Sequence, residues 1–291
     1  MSAVAVSVVM PAFNAAETIV EAVESILAED AIPLELLVVD DGSTDNTRTL
    51  CQQLAARDPR LRVLGHPGDV QRGVGPSRQL AIERARGHAI AFLDADDLAL
   101  PGRLPFQLDL LERHPRAVLV HGAMQAFGSP ESLGRHLEAW MSLGEGERVY
   151  RLWRRYDALW YNRIANSSVL VRRSCLARVR IPSLRYQYED WATWLLLGRW
   201  GPFVFHPRAV VRYRLHPASF TARHHGSGAL GHLRASLEML QAVERGLGAT
   251  SARRLRVRGR RLLVAAALAV GSRLEPSARV SASDQPPGEG G

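Results

Sequence analysis

Residues 89–97 read AIAFLDADD, and this stretch decides the class of fold. Five apolar residues fit a short buried strand, and the carboxylates of Asp94, Asp96 and Asp97 follow it directly. Three carboxylates within four residues repel one another, and a bound hard divalent ion would relieve that repulsion. The alternative is an acidic helix N-terminus, where carboxylates are also stabilising. These residues alone do not decide between the two interpretations.

The same order of strand and helix extends in both directions from this stretch. Apolar runs predict strands, and apolar residues spaced three and four apart predict helices. Predicted strands cover residues 4–10, 34–39, 61–64, 89–93 and 117–126, and predicted helices cover residues 16–27, 45–56, 77–86 and 103–113. This alternation is typical of an α/β protein with a parallel sheet, in which ligands bind beyond the carboxyl ends of the strands.

A second acidic cluster follows the predicted strand at residues 34–39. Asp40 and Asp41 begin the sequence DDGSTD. An ionised Asp at a strand end can accept a hydrogen bond from a nucleobase or a ribose, and a capped turn is the alternative. Because two strand ends carry such clusters, we favour a metal–nucleotide site over two unrelated caps.

The composition is that of an ordinary globular protein. Apolar residues make up 46% and charged residues 23% of the 291 residues, which argues against a disordered, fibrous or disulfide-stapled chain. No run of 18 apolar residues is present, so no membrane-spanning helix is expected. The apolar start continues directly into Pro11 without a basic segment, and we interpret it as the first strand rather than a signal peptide. Cys51 and Cys175 are expected to be reduced.

Charge is distributed unevenly along the chain. Residues 1–100 hold 8 arginines and 15 acidic residues, whereas residues 101–291 hold 29 arginines and 14 acidic residues. Six of these arginines lie between Arg253 and Arg261, next to an apolar stretch. Such a segment fits peripheral contact with an anionic membrane or a solvated basic helix packed on the domain, and we favour the second. No nucleic-acid motif accompanies the arginines, so no nucleic-acid partner is expected.

Four sequence blocks together resemble the family 2 glycosyltransferases of the GT-A fold. The blocks are VSVVMPAFN from Val6, VVDDGSTD from Val38, AFLDADD from Ala91, and the segment Glu189-Asp190-Trp191. Their order and spacing match the family over residues 4–220. The resemblance implies an α/β, Rossmann-like GT-A domain with a mainly parallel central sheet flanked by helices. It also implies inverting transfer of a sugar from a nucleotide-diphosphate sugar, most often UDP-linked, with Mn²⁺ or Mg²⁺ as the cofactor.

The resemblance assigns roles to individual residues. Asp190 matches the catalytic base, which would take the proton of an acceptor hydroxyl as it attacks the anomeric carbon. Asp96, Asp97 and His216 are the expected metal ligands, and the sequence does not separate Asp96 from Asp97. The residues expected to bind the donor or the acceptor are Pro11, Phe13, Asn14, Asp40, Asp41, Arg78, Asp94, Asp96, Glu189 and Trp191.

Several of these assignments have structural alternatives. Phe13 and Trp191 fit a hydrophobic core as well as a binding site. Arg78 and His216 are each compatible with an ordinary surface position. Glu189, together with its neighbour Asp190, fits the acidic start of a helix.

The predicted organisation is one GT-A domain with a C-terminal extension. Residues 1–126 are expected to bind the nucleotide sugar, residues 127–222 to bind the acceptor and supply the base, residues 223–271 to form a helical extension, and residues 272–291 a disordered tail. The leading hypothesis is a cytoplasmic enzyme, peripheral at the inner membrane face, that builds surface polysaccharide or glycolipid on a saccharide or lipid-linked acceptor. The alternatives are a non-catalytic GT-A-like nucleotide-sugar-binding or scaffold protein and a nucleotidyltransferase.

Overall fold

A nine-stranded mixed sheet lies at the centre of the computed structural model, which describes residues 4–128, 131–155, 157–185, 188–216, 228–248 and 251–274. The strands are β1 (Val6–Ala12), β2 (Leu34–Asp40), β3 (Leu61–Gly65), β4 (Ala89–Phe92), β5 (Leu98–Ala99), β6 (Leu119–Gly128), β7 (Arg148–Tyr150), β8 (Val169–Arg172) and β9 (Phe203–Leu215). The helices are α1 (Ile19–Leu27), α2 (Thr47–Ala55), α3 (Val74–Arg84), α4 (Arg103–Arg113), α5 (Glu131–Met141), α6 (Arg173–Leu176), α7 (Glu189–Leu197), α8 (Gly228–Gly246) and α9 (Ala252–Leu274).

The order of the strands brings several strand ends to one edge. The sheet runs β3-β2-β1-β4-β8-β6-β9-β5, and β7 pairs with β9. β1 to β4 are parallel because each is connected to the next through a helix that crosses back over the sheet. β8 lies antiparallel between β4 and β6. The carboxyl ends of β1, β2, β4, β6 and β9 therefore share an edge with the start of β8.

Alternating side chains of the central strands enter two cores, one on each face of the sheet. Val8 on β1 packs with α1, α2 and α4, whereas its neighbour Val9 packs with α3, α7, α8 and α9. Burying one such side chain fully contributes about 1.5–3 kcal/mol. Helices on both faces explain why these strands read as nearly continuous apolar runs.

The predicted α/β class is confirmed, with differences in the second half of the chain. The sheet is mixed because β8 is antiparallel to both of its neighbours. β9 runs through Pro207 without a break, and its pairing with β6 is irregular opposite that residue. The prediction missed strands β5 and β7, which are only two and three residues long. It also missed helix α5, although Leu133, Leu137 and Met141 recur at helical spacing.

The predicted basic segment is a helix packed on the domain. In α9, Val257 and Val264 are buried, Arg256 donates a hydrogen bond to the Trp153 carbonyl at 2.7 Å, and Arg261 pairs with Glu244 at 2.8 Å. These contacts favour the packed helix over a membrane-facing one. None of the described helices is long and apolar enough to cross a membrane. Most of the predicted tail, from residue 275 onward, lies outside the described residues, and the domain boundaries stay a prediction.

Candidate active site

The segments that follow β1 and β2 form one wall of the site. Asn14 has a positive φ of 49°, and its Oδ1 accepts a hydrogen bond from the Thr44 N–H at 2.8 Å. The Asn14 N–H in turn donates to Ser43 Oγ at 3.0 Å. Beside this link Phe13 keeps 42% of its surface exposed, and Pro11 is half-buried. An exposed ring on a fixed backbone could stack on a nucleobase.

The carboxylates at the end of β2 are buried and oriented by backbone donors. Asp41 accepts hydrogen bonds from the N–H groups of Arg72 and Gly73, both at 2.8 Å. Gly73 has a φ of 95°, which glycine adopts without steric strain. Asp40 Oδ1 accepts from the Ser43 N–H at 3.3 Å. The loop before α3 therefore fixes Asp41 at the edge where the sequence predicts a nucleobase.

Arg78 joins the acidic cluster after β4 to the start of α7. Its guanidinium donates to Asp94 Oδ1 at 2.6 Å and to Glu189 Oε1, and the whole side chain is buried. Burial alone would lower the pKa of Arg78, but the charges of Asp94 and Glu189 raise it above its ordinary value. The sequence predicts a contact between Arg78 and the diphosphate, whereas in the structure two carboxylates already engage the guanidinium.

Asp190, the predicted base, lies in the first turn of α7. Its Oδ1 accepts a hydrogen bond from the Trp191 N–H at 2.6 Å, and its Oδ2 accepts one from Asn162 Nδ2 at 3.0 Å. Burial raises the pKa of Asp190 to about 7, the charge of Glu189 raises it too, and Arg78 acts in the opposite direction. This carboxylate can therefore exchange a proton near neutral pH, as a general base must.

Asn162 is a site residue that the sequence did not reveal. Its amide oxygen accepts a hydrogen bond from the Ile164 N–H at 3.1 Å, which leaves its Nδ2 to donate to Asp190. No motif surrounds Asn162, and its contact with Asp190 spans 28 residues of sequence.

Asp96 and His216 meet where β4 and β9 end. His216 Nε2 lies 3.1 Å from Asp96 Oδ2, and the two side chains are 33% and 34% exposed. Burial, together with the charge of Asp94, raises the pKa of Asp96, and His216 opposes that shift. Both side chains are partly exposed, and the carboxylate of Asp96 is the ligand type that suits Mn²⁺ or Mg²⁺.

Asp97 has a different environment from Asp96. Its side chain is buried, its Oδ1 accepts a hydrogen bond from the Arg214 N–H at 2.9 Å, and its Oδ2 has no partner among the described residues. Burial raises the pKa of Asp97 well above its ordinary range. The structure thus separates the two aspartates that the sequence left equivalent, and it favours Asp96 as the accessible ligand.

The described residues include no group of three or more His, Cys, Asp or Glu side chains arranged to hold a metal ion. The pair Asp96 and His216 still fits the chemistry of Mn²⁺ or Mg²⁺ in nucleotide sites. Such ions are commonly bound through one or two protein ligands, with substrate phosphates and water completing the shell.

Trp191 differs from its predicted role. The ring is buried, and its Nε1 donates a hydrogen bond to the Ala158 carbonyl at 2.9 Å. Trp194, on the same helix, packs edge-on against Phe92 with ring centroids 5.7 Å apart. Both tryptophans belong to the core because α7 is covered on nearly all sides, and a role of Trp191 in substrate binding stays a prediction.

Acidic clusters follow β2 and β4, the two strands that flank β1 in the mixed α/β sheet, and Arg78 joins the second cluster to the acidic start of α7. This arrangement is typical of glycosyltransferases of the GT-A class. Residues 7–174 match the family model described as "Glycosyl transferase family 2", and the chain belongs to that family. A protein of Bacillus subtilis (strain 168) assigned to teichuronic acid biosynthesis as a glycosyltransferase, TuaG, is 33% identical over 198 residues, which are 67% of this chain and 73% of TuaG.

Two solved structures confirm the GT-A fold. Staphylococcus aureus TarS 1–349 in complex with UDP-GlcNAc is similar with a TM-score of 0.64 and 19% identity, covering 91% of this chain and 71% of that one. The mannosyltransferase PcManGT from Pyrobaculum calidifontis, in complex with GDP-Man and Mn²⁺, has a TM-score of 0.61 and 18% identity, covering 94% and 76%.

The rate of sugar transfer should depend on the ionisation of Asp190. Its folded-state pKa is raised from the usual 3.8 to about 7, so the basic form accumulates only as the pH rises through that value. We expect kcat/KM to increase tenfold per pH unit below about 7 and to level off above it. Initial rates between about pH 5 and about pH 9 at constant ionic strength would measure this.

Asn162→Ala provides the matched comparison for that profile. It removes a hydrogen bond that favours the ionised carboxylate, so the rise in kcat/KM should move to higher pH. A wild-type profile that stays flat down to about pH 5 would contradict a role for Asp190 as the titrating base.

Proposed function

We propose that this glycosyltransferase transfers a sugar from a UDP-linked donor to a hydroxyl of a saccharide or lipid-linked acceptor, with inversion, in the synthesis of surface polysaccharide or glycolipid. The site would work at the cytoplasmic side of the membrane. The observation that carries the proposal is the arrangement around Arg78, which brings Asp94 of the donor half against Glu189, the neighbour of Asp190. The UDP-GlcNAc complex of TarS and the named pathway of TuaG support the donor and product classes.

In the proposed reaction Asp190 accepts the proton of the acceptor hydroxyl. The oxygen of that hydroxyl attacks the anomeric carbon as the bond to the nucleoside diphosphate breaks on the opposite face, so the configuration inverts. The transition state resembles an oxocarbenium ion, as in glycoside hydrolysis. Hydrogen bonds from Asn162 Nδ2 and the Trp191 N–H hold the Asp190 carboxylate in one orientation during this step.

Asp96 and His216 would hold the divalent ion beside the diphosphate. When bound, Mn²⁺ or Mg²⁺ neutralises the negative charge that grows on a leaving diphosphate. Asp94 precedes Asp96 by two residues and is fixed by Arg78 and by Asn166 Nδ2, which donates to its Oδ1 at 3.0 Å. Phe13 would stack on the base, and Asp41 would accept a hydrogen bond from it.

Calorimetric titration with UDP tests the donor site. We expect wild-type protein to bind UDP at least about tenfold more tightly with Mn²⁺ than without it, because an ion held by Asp96 and His216 would attract the negatively charged diphosphate. Asp96→Asn should remove most of this metal dependence, since it replaces an exposed carboxylate ligand by a neutral amide.

Asp109→Asn is the control, because Asp109 is an exposed carboxylate on α4 that pairs with Arg113 away from the site. It should bind UDP as the wild type does. GDP, dTDP and ADP titrated in parallel would identify the preferred base. Folded wild-type protein that binds none of the four nucleotides would refute the proposal.

A further inference from the structure

Two neighbouring aromatic side chains, Trp160 and Tyr161, are exposed close to the proposed base. They are 41% and 49% exposed, whereas Trp191 and Trp194 on α7 are buried. Exposed aromatic groups are costly in water unless they serve a contact, and a cluster of them marks a candidate binding surface. The exposure of Trp160 and Tyr161 therefore makes this surface a candidate binding site.

The exposed rings are held in place by other side chains. Tyr161 packs edge-on against Trp140, with ring centroids 5.0 Å apart and an interplanar angle of 88°. The Arg163 guanidinium lies 4.8 Å from the centroid of Trp140, and that of Arg260 lies 3.3 Å from the centroid of Trp160. We call Trp140, Trp160 and Tyr161 the aromatic platform. Its rings are pre-positioned, which lowers the entropic cost of binding.

A single chain segment, residues 157–162, connects Trp160 and Tyr161 of the platform to the proposed base, Asp190. The N–H groups of Trp160 and Tyr161 donate to the Asp157 carbonyl at 2.8 and 3.0 Å, which closes a turn. Asn162 follows Tyr161 directly and donates to Asp190 Oδ2 at 3.0 Å. Tyr161 is therefore linked to Asp190 through one residue and one hydrogen bond.

We propose that the aromatic platform binds the saccharide part of the acceptor, an inference that rests on the proposed function. The apolar C–H face of a sugar ring stacks on Trp and Tyr rings, and the rim of the platform offers polar groups to the hydroxyls. The Arg163 guanidinium lies over the ring of Trp140 and that of Arg260 over one face of Trp160, so both place positive charge beside the exposed ring of Tyr161. A saccharide is favoured over a lipid chain because of this rim and because Asp190 needs a hydroxyl within reach.

A glycan array of bacterial surface oligosaccharides, probed with labelled protein in the presence of UDP and Mn²⁺, tests the platform. We expect wild-type protein to bind a subset of glycans and Tyr161→Ala to bind the same glycans at least about tenfold more weakly. Tyr161→Phe should retain binding within about twofold, because it keeps the ring that stacks.

Trp200→Ala is the matched control. Trp200 is also exposed, at 43%, and also contacts arginines, with the Arg178 guanidinium 4.8 Å from its ring centroid. It follows the carboxyl end of α7, whereas Asp190 lies at the other end, about 13 Å away along a helix of this length. Trp200→Ala should bind glycans as the wild type does.

UDP binding, measured on every variant, separates this inference from the proposed function. If UDP binds but wild type captures no glycan, or if Tyr161→Ala and Trp200→Ala behave alike, the platform is not the acceptor site. If the wild type binds phosphatidylglycerol vesicles and Tyr161→Ala does not, the platform is a membrane contact and the inference is overturned. If the wild-type protein does not bind UDP at all, the proposed function is overturned instead.

Discussion

Asp190→Asn should lower kcat for sugar transfer by about 10²–10⁴-fold, the range that removal of a general base commonly costs. The amide keeps the shape of the side chain but cannot accept the hydroxyl proton. UDP binding should change by less than about twofold, because the residues proposed to bind the donor, Phe13, Asp41 and Asp96, lie on other elements. Transfer from radiolabelled UDP-sugar, with UDP affinity measured on the same preparation, gives both numbers.

The stability of the same variant provides an internal control. A carboxyl whose folded pKa lies above its unfolded value loses stability as the pH rises between the two values. For Asp190 that interval runs from 3.8 to about 7. Asp190→Asn should therefore be at least as resistant to denaturant as the wild type at about pH 8. Loss of activity in an unfolded variant would not count as evidence that Asp190 is the base. A fully active variant would exclude Asp190 as the base.

Arg78→Met should lower the free energy of unfolding by about 3–5 kcal/mol, more than any other variant proposed here, because it leaves a buried carboxylate without its partner. Glu189 is buried and has Arg78 as its ion-pair partner, and Asp94 shares the same guanidinium. The lost positive charge would also raise the pKa of Asp190 further. Guanidinium chloride unfolding monitored by tryptophan fluorescence measures the stability change.

A second substitution distinguishes the ion pair from simple packing. In the Arg78→Met background, Glu189→Gln should restore part of the lost stability, since a neutral amide is less costly to bury than an unpaired carboxylate. Arg78→Lys should be intermediate, because one ammonium group cannot span both carboxylates as a guanidinium does. If Arg78→Met unfolds at the same guanidinium chloride concentration as the wild type, the buried ion pair contributes nothing to stability.

The sequence predicts those parts of the site that lie at strand ends. Asp40, Asp41, Asp94 and Asp96 each follow an apolar run within three residues, so a local pattern marks both the strand and the candidate ligand position. The helices and strands up to β6, apart from the two-residue β5, are predicted for the same reason. In this half of the chain, local periodicity and tertiary position agree.

The contacts that complete the site are not local, and local patterns do not contain them. Arg78 and Glu189 are separated by 111 residues, and Asn162 and Asp190 by 28. The orientation of Asp97 is likewise a tertiary effect, since it depends on the Arg214 N–H of β9. The buried position of Trp191 follows from the packing of α7, which sequence spacing alone does not specify.

The antiparallel placement of β8 has a consequence for how the chain is made. β4 and β6 emerge from the ribosome early, but the strand that joins them is synthesised only when residues 169–172 appear. Until then each nascent strand has an unpaired edge, which is a template for aggregation. We therefore expect co-translational folding of the sheet to be delayed until β8 emerges, and the growing chain to depend on chaperones over that interval.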